Sequence, residues 1–468
     1  MATAAISDTL LSQLRSILPD EFTLTDDESL DHYSHDETED LKFLPSVVVK
    51  PRTTGEVSAI LKIASSENVP VTPRGAGTGL SGGCLPVHGG IVLSLERMNS
   101  ILEIDKANLI CVTEPGVITQ VLQEAVEQAG LFYPVDPASR ASCMIGGNVA
   151  ENSGGPRAAK YGVTKDFVLG LTAVLPSGEI IKSGGKLFKD VTGYNLAQIL
   201  VGSEGTLAVV TEIILKLLPL PKLRLMLMVP FPTLEDAART VSLILRDGLA
   251  PSAIEFTERD AFLAAKEQLG KTVAYEQAAA QLMIELDGNE QELIDTHAER
   301  IGEIALENNA LDVLLAEDKK RQDDLWAIRR SFGEAIKLRS VYKEEDTVVP
   351  RDKIPELMTR VKELCAKWNI TSICYGHAGD GNIHVNLLKE NLSDEVWERD
   401  LDTVIRELFT IVVELGGTLT GEHGVGYIQR EYMPIVKTNA ELALMKRIKD
   451  AFDPQGILNP GKIFPQGK

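Results

Sequence analysis

Apolar residues recur along this chain at two spacings, and the changes between them mark its elements. Short β-branched and leucine runs predict strands at Ser46–Lys50, Val69–Thr72, Ile91–Leu95, Leu109–Thr113, Leu169–Leu175 and Val209–Leu218. Helical spacing predicts helices from Thr54 to about Glu67 and over Ile118–Gln128, and a short amphipathic helix of mixed charge within Met1–Asp20. Pro219-Leu-Pro221 predicts a boundary. After it Leu223–Pro230 reads as a strand, and Thr233 as the N-cap of a helix opening Leu234-Glu-Asp, where acids favour the first turn. Strands and helices alternate to about residue 390, and helical spacing dominates 393–415 and 439–452. The pattern is that of an α+β protein with two cores.

At 468 residues the chain is too long for one ordinary core, so two or three domains are expected. A net charge of −21 repels phosphate backbones, which argues against nucleic acid as a partner and gives little attraction to anionic lipid. No window approaches the roughly 18–20 apolar residues of a membrane span. The N-terminus has no basic region, apolar stretch and small-residue cleavage site in series, so a cytoplasmic protein is expected. The five cysteines, Cys84, Cys111, Cys143, Cys365 and Cys374, form no CxxC pair and suit a reducing compartment. Small buried hydrophobes are the plain reading of each.

Residues 73–83 read Pro-Arg-Gly-Ala-Gly-Thr-Gly-Leu-Ser-Gly-Gly. So bare a backbone can turn its N–H groups inward and approach a phosphate closely. Gly77, Gly79 and Gly82 match GxGxxG, but the segment runs into Cys84-Leu-Pro86 and a strand, not a helix, so a Rossmann loop is rejected. No Gly-Lys-Ser/Thr follows, which rejects a Walker loop. Taken alone, a ligand-free surface loop would also explain it. Two further Gly-rich segments, 136–162 and Gly202-Ser-Glu-Gly-Thr206, change that balance. Three Gly-rich turns joined by strands suggest one long cofactor lying across a β domain.

Residues 46–218 closely resemble the FAD-binding domain of the vanillyl-alcohol oxidase and p-cresol methylhydroxylase superfamily. From about 30 to 465 the chain resembles the glycolate oxidase D-subunit, D-lactate dehydrogenase and D-2-hydroxyglutarate dehydrogenase group. The resemblance implies a two-part FAD-binding domain in 1–220, with a helical lead-in. It implies a substrate and metal domain in 221–450, with an antiparallel sheet flanked by helices, and a return segment to the flavin in 451–468. By it, Arg74, Gly75, Ala76, Gly77, Thr78, Gly79, Ser81 and Gly82 wrap the FAD pyrophosphate. Pro137, Ser142, Gly146, Gly147, Asn148, Ser153, Gly154, Tyr161 and Gly162 line the flavin and its linker, and Glu204, Gly205 and Val209 lie by the adenosine half. Asn459 is a further contact from the return segment. The first Gly-rich loop has no His, so a non-covalent flavin is expected, with Cys143 the one residue that leaves a tether open.

The second half holds a separate constellation. Residues 374–388 read Cys-Tyr-Gly-His-Ala-Gly-Asp-Gly-Asn-Ile-His-Val-Asn-Leu-Leu. Asp380-Gly381 signals a turn. His384 and Asn386, two apart on a strand, share a face, and the turn brings His377 back toward them. Glu422 and His423 lie in a Gly-framed turn. Two His and a Glu form a catalytic metal set with open positions, best suited to zinc, with Mn²⁺, Fe²⁺ or Co²⁺ as alternatives. A lone His is usually a satisfied core or surface group, and His32, His35, His88 and His297 are left to that reading.

By the resemblance, His377, His384 and Glu422 are metal ligands, His423 is the catalytic base and a substrate contact, Asn386 contacts substrate, and Arg329 in Leu-Trp-Ala-Ile-Arg binds its carboxylate. A guanidinium suits a carboxylate through paired hydrogen bonds. The implied reaction is oxidation of a D-2-hydroxy acid to the 2-keto acid. His423 takes the hydroxyl proton, and hydride passes from C2 to flavin N5. The chain departs from the D-2-hydroxyglutarate enzymes in placing Gly333 where they have Thr. Lys343 resembles their second-carboxylate Lys with the spacing off by one, and Glu344, Glu345 and Asp346 follow. A monocarboxylate, D-lactate or glycolate, is therefore favoured, with D-2-hydroxyglutarate as the alternative. The electron acceptor is open between quinone, a cytochrome, an electron-transfer flavoprotein and partner subunits. Such subunits would also give a peripheral membrane location, and a homodimer is allowed. Three competing readings remain: a hydrolase with a structural N-terminal domain, a subunit active only in an electron-transfer complex, and a metal-free alcohol or sugar oxidase.

Overall fold

The computed structural model describes residues 6–38, 40–270, 274–316 and 318–466. The chain divides into two compact units. The first comprises 1–154, 163–220 and 422–468, and the second comprises 155–162 and 221–421.

The first unit opens with a helix over Asp8–Ile17, inside the expected N-terminal one; residues 1–5 of that expectation lie outside the described residues. A four-stranded sheet follows, in the order Thr23–Leu24, Val47–Val49, Ile91–Ser94, Val71–Arg74. Its last three strands run parallel, as the strand–helix–strand spacing demands. The connecting helix, Thr54–Glu67, starts at a capping box between Thr53 and Glu56 and ends at Asn68 in the left-handed region. It buries Val57, Ile60, Leu61 and Ala64 against Val47, Val49, Val71 and Leu93. A five-stranded antiparallel sheet runs Ile101–Asp105, Ile110–Thr113, Val209–Lys216, Val168–Val174, Ile180–Gly184. The chain end returns to the first sheet, where Leu458 bridges Val71 and Asn459 N–H donates to the Val71 carbonyl at 2.7 Å.

One expectation is corrected here. The second Gly-rich segment is not an open turn: Ile145–Glu151 is a helix that contains Gly146 and Gly147. Glycine is a poor helix former, which hides the element from sequence reasoning. It is needed at 146 because a Cβ there would stand 2.6 Å from Pro115 Cβ.

The second unit is built on a seven-stranded antiparallel sheet. Its order is Leu314–Ala316, Leu223–Phe231, Ala280–Gly288, Ala253–Glu258, Thr371–His377, Asn382–Leu388, Tyr342–Val348. Thr233 caps the helix Leu234–Arg246 by accepting from Asp236 N–H at 3.1 Å. Helices Arg259–Leu269, Lys319–Arg330 and Phe332–Arg339 bury Phe262, Ile328 and Phe332 against Met228, Ile373 and Tyr375 of the sheet. Among the described residues no helix is long and apolar enough to cross a membrane.

Candidate active site

In the second unit, strand register decides which side chains meet. Asn382–Leu388 pairs with Thr371–His377 so that Tyr375 stands opposite His384 and Ile373 opposite Asn386. His377 in turn stands opposite Glu255. Directly opposed residues share a face, and successive residues alternate. Glu255, Tyr375, His377, His384 and Asn386 therefore lie on one face of the sheet. Asp346 and Glu344 join them from the neighbouring strand, opposite His384 and Asn386.

The two imidazoles are near neighbours, with ring centroids 5.7 Å apart at an interplanar angle of 83°. Both are buried. Each has a carboxylate at Nδ1. Glu255 Oε1 lies 2.7 Å from His377, and Glu344 Oε1 lies 2.8 Å from His384. Tyr375 stacks on His384 at 5.1 Å. Arg329 arrives from the helix Lys319–Arg330, which is tied down by Trp326 Nε1–H donating to Glu285 Oε2 at 3.1 Å. Its Nε–H donates to Glu255 Oε2 at 2.5 Å, and its guanidinium lies over Tyr375, 5.0 Å from the ring centre. Burial alone would raise the Glu255 pKa. His377 and Arg329 outweigh that and hold the carboxyl below its ordinary range. Asn386 donates to the Ile373 carbonyl at 3.1 Å, while its buried Oδ1 has no protein partner.

Asp346 shapes the chain just ahead of Glu422. It is fully buried and accepts from Asn382 at 2.6 Å, from Thr420 Oγ1 at 2.8 Å and from Gly421 N–H at 2.9 Å. A Cβ at Gly421 would meet Val348 Cγ2 at 2.6 Å, so the approach needs glycine. Glu422 and His423 then belong to the first unit. There Glu204 accepts from Val425 N–H at 2.8 Å and Gly426 N–H at 2.7 Å, which fixes the turn just beyond His423. Gly424 lies against the half-buried Glu151, whose pKa is raised by desolvation and by the neighbouring Glu204.

Lys343 requires a correction. In the register of Tyr342–Val348 against Asn382–Leu388 it pairs with Leu387, so it lies on the face opposite Asn386 and His384. The one-residue offset seen in the sequence is a change of face, because strand side chains have period two. Glu344, not Lys343, stands in line with Asn386.

The Gly-rich segments of the first unit form a cradle. A Cβ at Gly79 or Gly147 would meet nothing within 4 Å, and buried Ser81 Oγ and Asn148 Nδ2 lack protein partners. Open backbone and unsatisfied polar atoms at Gly-rich turns fit a dinucleotide such as FAD. Arg74 is buried beneath the loop and donates to the His35 carbonyl at 2.7 Å. Gly77, at φ +74°, leaves it room. Gly75, Ala76, Thr78 and Gly82 belong to the same loop, whose Ser81 carbonyl accepts from Tyr427 N–H at 2.8 Å. Asn459 Nδ2 donates to the Gly83 and Glu204 carbonyls, both at 2.8 Å, and so joins the first and third Gly-rich turns. Gly205 continues that third turn at φ +64°.

Pro137 is buried, Ser142 is exposed, and the Ser153 carbonyl accepts from Thr164 beside Gly154. The Val209 side chain packs in the core, leaving only its main chain for a ligand. Tyr161 and Gly162 fall in the second unit, where Tyr161 O–H donates to Asp287 at 2.8 Å. Cys143 is buried 3.3 Å from Thr119 Oγ1, and burial pushes its thiol pKa up.

Sequence reasoning missed Glu255 and Glu151. The signal for Glu255 is an acid inside the otherwise apolar run Ala253-Ile-Glu-Phe.

The chain matches two family models: the FAD binding domain over residues 45–184 and the C-terminal domain of FAD linked oxidases over 220–463. It is 43% identical to glycolate oxidase subunit GlcD of Bacillus subtilis over 92% of each chain. It is 37% identical to a D-lactate dehydrogenase of Anaerostipes hadrus over 98% of each. It is 32% identical to a D-2-hydroxyglutarate dehydrogenase of Stutzerimonas stutzeri over 97% of this chain and 98% of that one. In fold it resembles p-cresol methylhydroxylase, with a TM-score of 0.82 over 98% of each chain at 17% identity.

Proposed function

Since the chain belongs to the FAD-linked oxidases, and is a flavin-dependent oxidoreductase, we propose that it oxidises a small D-2-hydroxy acid to the 2-keto acid. One observation carries this reading: two buried imidazoles 5.7 Å apart share a sheet face with a guanidinium and an asparagine. A 2-hydroxy acid presents a carboxylate and an adjacent hydroxyl, and this face offers a partner for each. The names of the relatives, a glycolate oxidase subunit, a D-lactate dehydrogenase and a D-2-hydroxyglutarate dehydrogenase, support the substrate class.

In this reading FAD, when bound, supplies the two-electron acceptor, and a divalent metal, zinc by ligand type, supplies Lewis acidity at the hydroxyl. The paired histidines fit such an ion, since the carboxylate hydrogen-bonded at His377 Nδ1 directs its Nε2 toward metal binding and His384 stands beside it. His377, His384 and Glu422 would hold it. Arg329 seats the substrate carboxylate, and Asn386 offers its unpartnered Oδ1 as an acceptor for the substrate hydroxyl. His423 takes the hydroxyl proton as general base. Glu344 sets a negative charge on the same face and disfavours a second substrate carboxylate, which favours D-lactate or glycolate. The buried Cys143 thiol makes a poor nucleophile, which favours non-covalent FAD. The functional division of the chain is read as 1–220 for FAD, 221–450 for substrate and metal, and 451–468 as the return segment. The reduced flavin passes electrons to a quinone, cytochrome, electron-transfer flavoprotein or partner subunit, in the cytoplasm or at the membrane surface.

Steady-state turnover with an artificial dye tests the reading. D-lactate or glycolate is oxidised, chelator stops turnover, and zinc restores it. Turnover unaffected by chelator would place the chain with metal-free oxidases of the same fold.

A further inference from the structure

Glu255 is a fully buried charge of the second unit. It has no exposed surface and comes from the strand Ala253–Glu258, far in sequence from both of its partners. One oxygen lies 2.7 Å from His377 Nδ1. The other lies 2.9 Å from the same nitrogen and 2.5 Å from Arg329 Nε. An ionised carboxylate only accepts hydrogen bonds, so His377 Nδ1 carries the proton, and in the neutral ring the lone pair sits on Nε2. The contact between Arg329 and the same Nδ1 is long, at 3.4 Å, and does not compete. On the guanidinium, Glu255 takes the Nε edge.

We propose that Glu255 is a positioning residue that sets the His377 tautomer and aims Arg329, so that metal uptake and substrate-carboxylate binding depend on one buried carboxylate. This rests on the reading of His377 as a ligand and Arg329 as the carboxylate anchor. The geometry favours it over a merely structural ion pair. A structural pair would need only Arg329 and Glu255, whereas here the same carboxylate is shared with an imidazole whose ring stands edge-on to a second buried imidazole. Removing such an outer partner typically weakens metal binding by roughly 10–100-fold.

The test uses full-length flavin-loaded protein with Glu255→Ala and Glu255→Gln. Three quantities are read: the His377 tautomer by ¹⁵N-histidine NMR of metal-free protein, assigned with His377→Gln; zinc affinity by competition with a chromogenic chelator; and the split between KM and kcat for D-lactate. In the wild type, His377 is expected as the Nδ1–H tautomer. Glu255→Ala loses roughly 10–100-fold in zinc affinity and raises KM for D-lactate. Glu255→Gln, which keeps one accepting oxygen, recovers part of the zinc affinity but not the KM. Unchanged flavin content and melting temperature separate these effects from misfolding, and if the Ala variant does not fold, Gln and the wild-type tautomer still decide. An Nε2–H tautomer in the wild type, or variants that bind zinc and D-lactate as the wild type does, overturns the proposal. If the wild type itself takes up no zinc and no 2-hydroxy acid, the functional reading falls, while the tautomer still decides whether Glu255 positions His377.

Discussion

Lys462 offers a sharp test of the first unit's energetics. Its ammonium is buried at 3% exposure and donates to the Leu85 carbonyl at 2.6 Å and to Asn459 Oδ1 at 3.3 Å. Burial outweighs the pull of neighbours such as Glu204 and Asp36, and moves its pKa from 10.5 to about 8. The folded value is thus below the unfolded one. Its contribution to stability is full above 10.5 and is lost as pH falls through that window to about 8. At about 1.4 kcal/mol per unit, the loss amounts to about 3 kcal/mol. Lys462→Met keeps the packed stem and removes the titration. Its two lost hydrogen bonds shift stability by a constant, so the pH dependence of the difference isolates the charge. Urea unfolding of flavin-free protein should show the Met variant gaining on the wild type as pH falls from 10 toward 8, with no further change below. A difference that stays flat, or moves the other way, refutes the argument that the ammonium is held against its hydration.

Other consequences follow from single contacts. Gly146→Ala puts a Cβ 2.6 Å from Pro115 Cβ and forces Ile145–Glu151 to shift, so the purified protein should lose flavin, read as a lower ratio of visible to protein absorbance. If Arg329 is the carboxylate anchor proposed above, Arg329→Met should cost about 2–4 kcal/mol in kcat/KM, or roughly 30- to 1000-fold, with flavin content retained. His384→Ala should abolish zinc uptake and turnover while the flavin spectrum persists. Lys449→Met leaves Asp453, at 1% exposure, without the ammonium that also donates to the Thr206 and Leu458 carbonyls. It should destabilise the first unit by about 3–5 kcal/mol, measured as a lower melting temperature.

The sequence shows much of this architecture and less of the site. Strand and helix spacing locates the parallel βαβ start, and Thr233 begins its helix as the expected N-cap, while the caps Thr53 and Thr438 emerge only in the structure. The 145–151 helix is hidden because its glycines answer to Pro115 rather than to local propensity. His377, His384 and Asn386 are legible because a tight turn makes their pairing local. Glu255 is not legible, since its role depends on a strand pairing across 122 positions. Lys343 shows the limit of motif spacing: one residue of offset carries a side chain to the other face of a sheet.

Anaerobic mixing of the purified yellow protein with D-lactate, L-lactate, glycolate and D-2-hydroxyglutarate, with and without chelator, tests the central claim most directly. The flavin absorbance should bleach with D-lactate or glycolate, not with L-lactate, and chelator should prevent it. No bleaching by any 2-hydroxy acid would contradict the assignment.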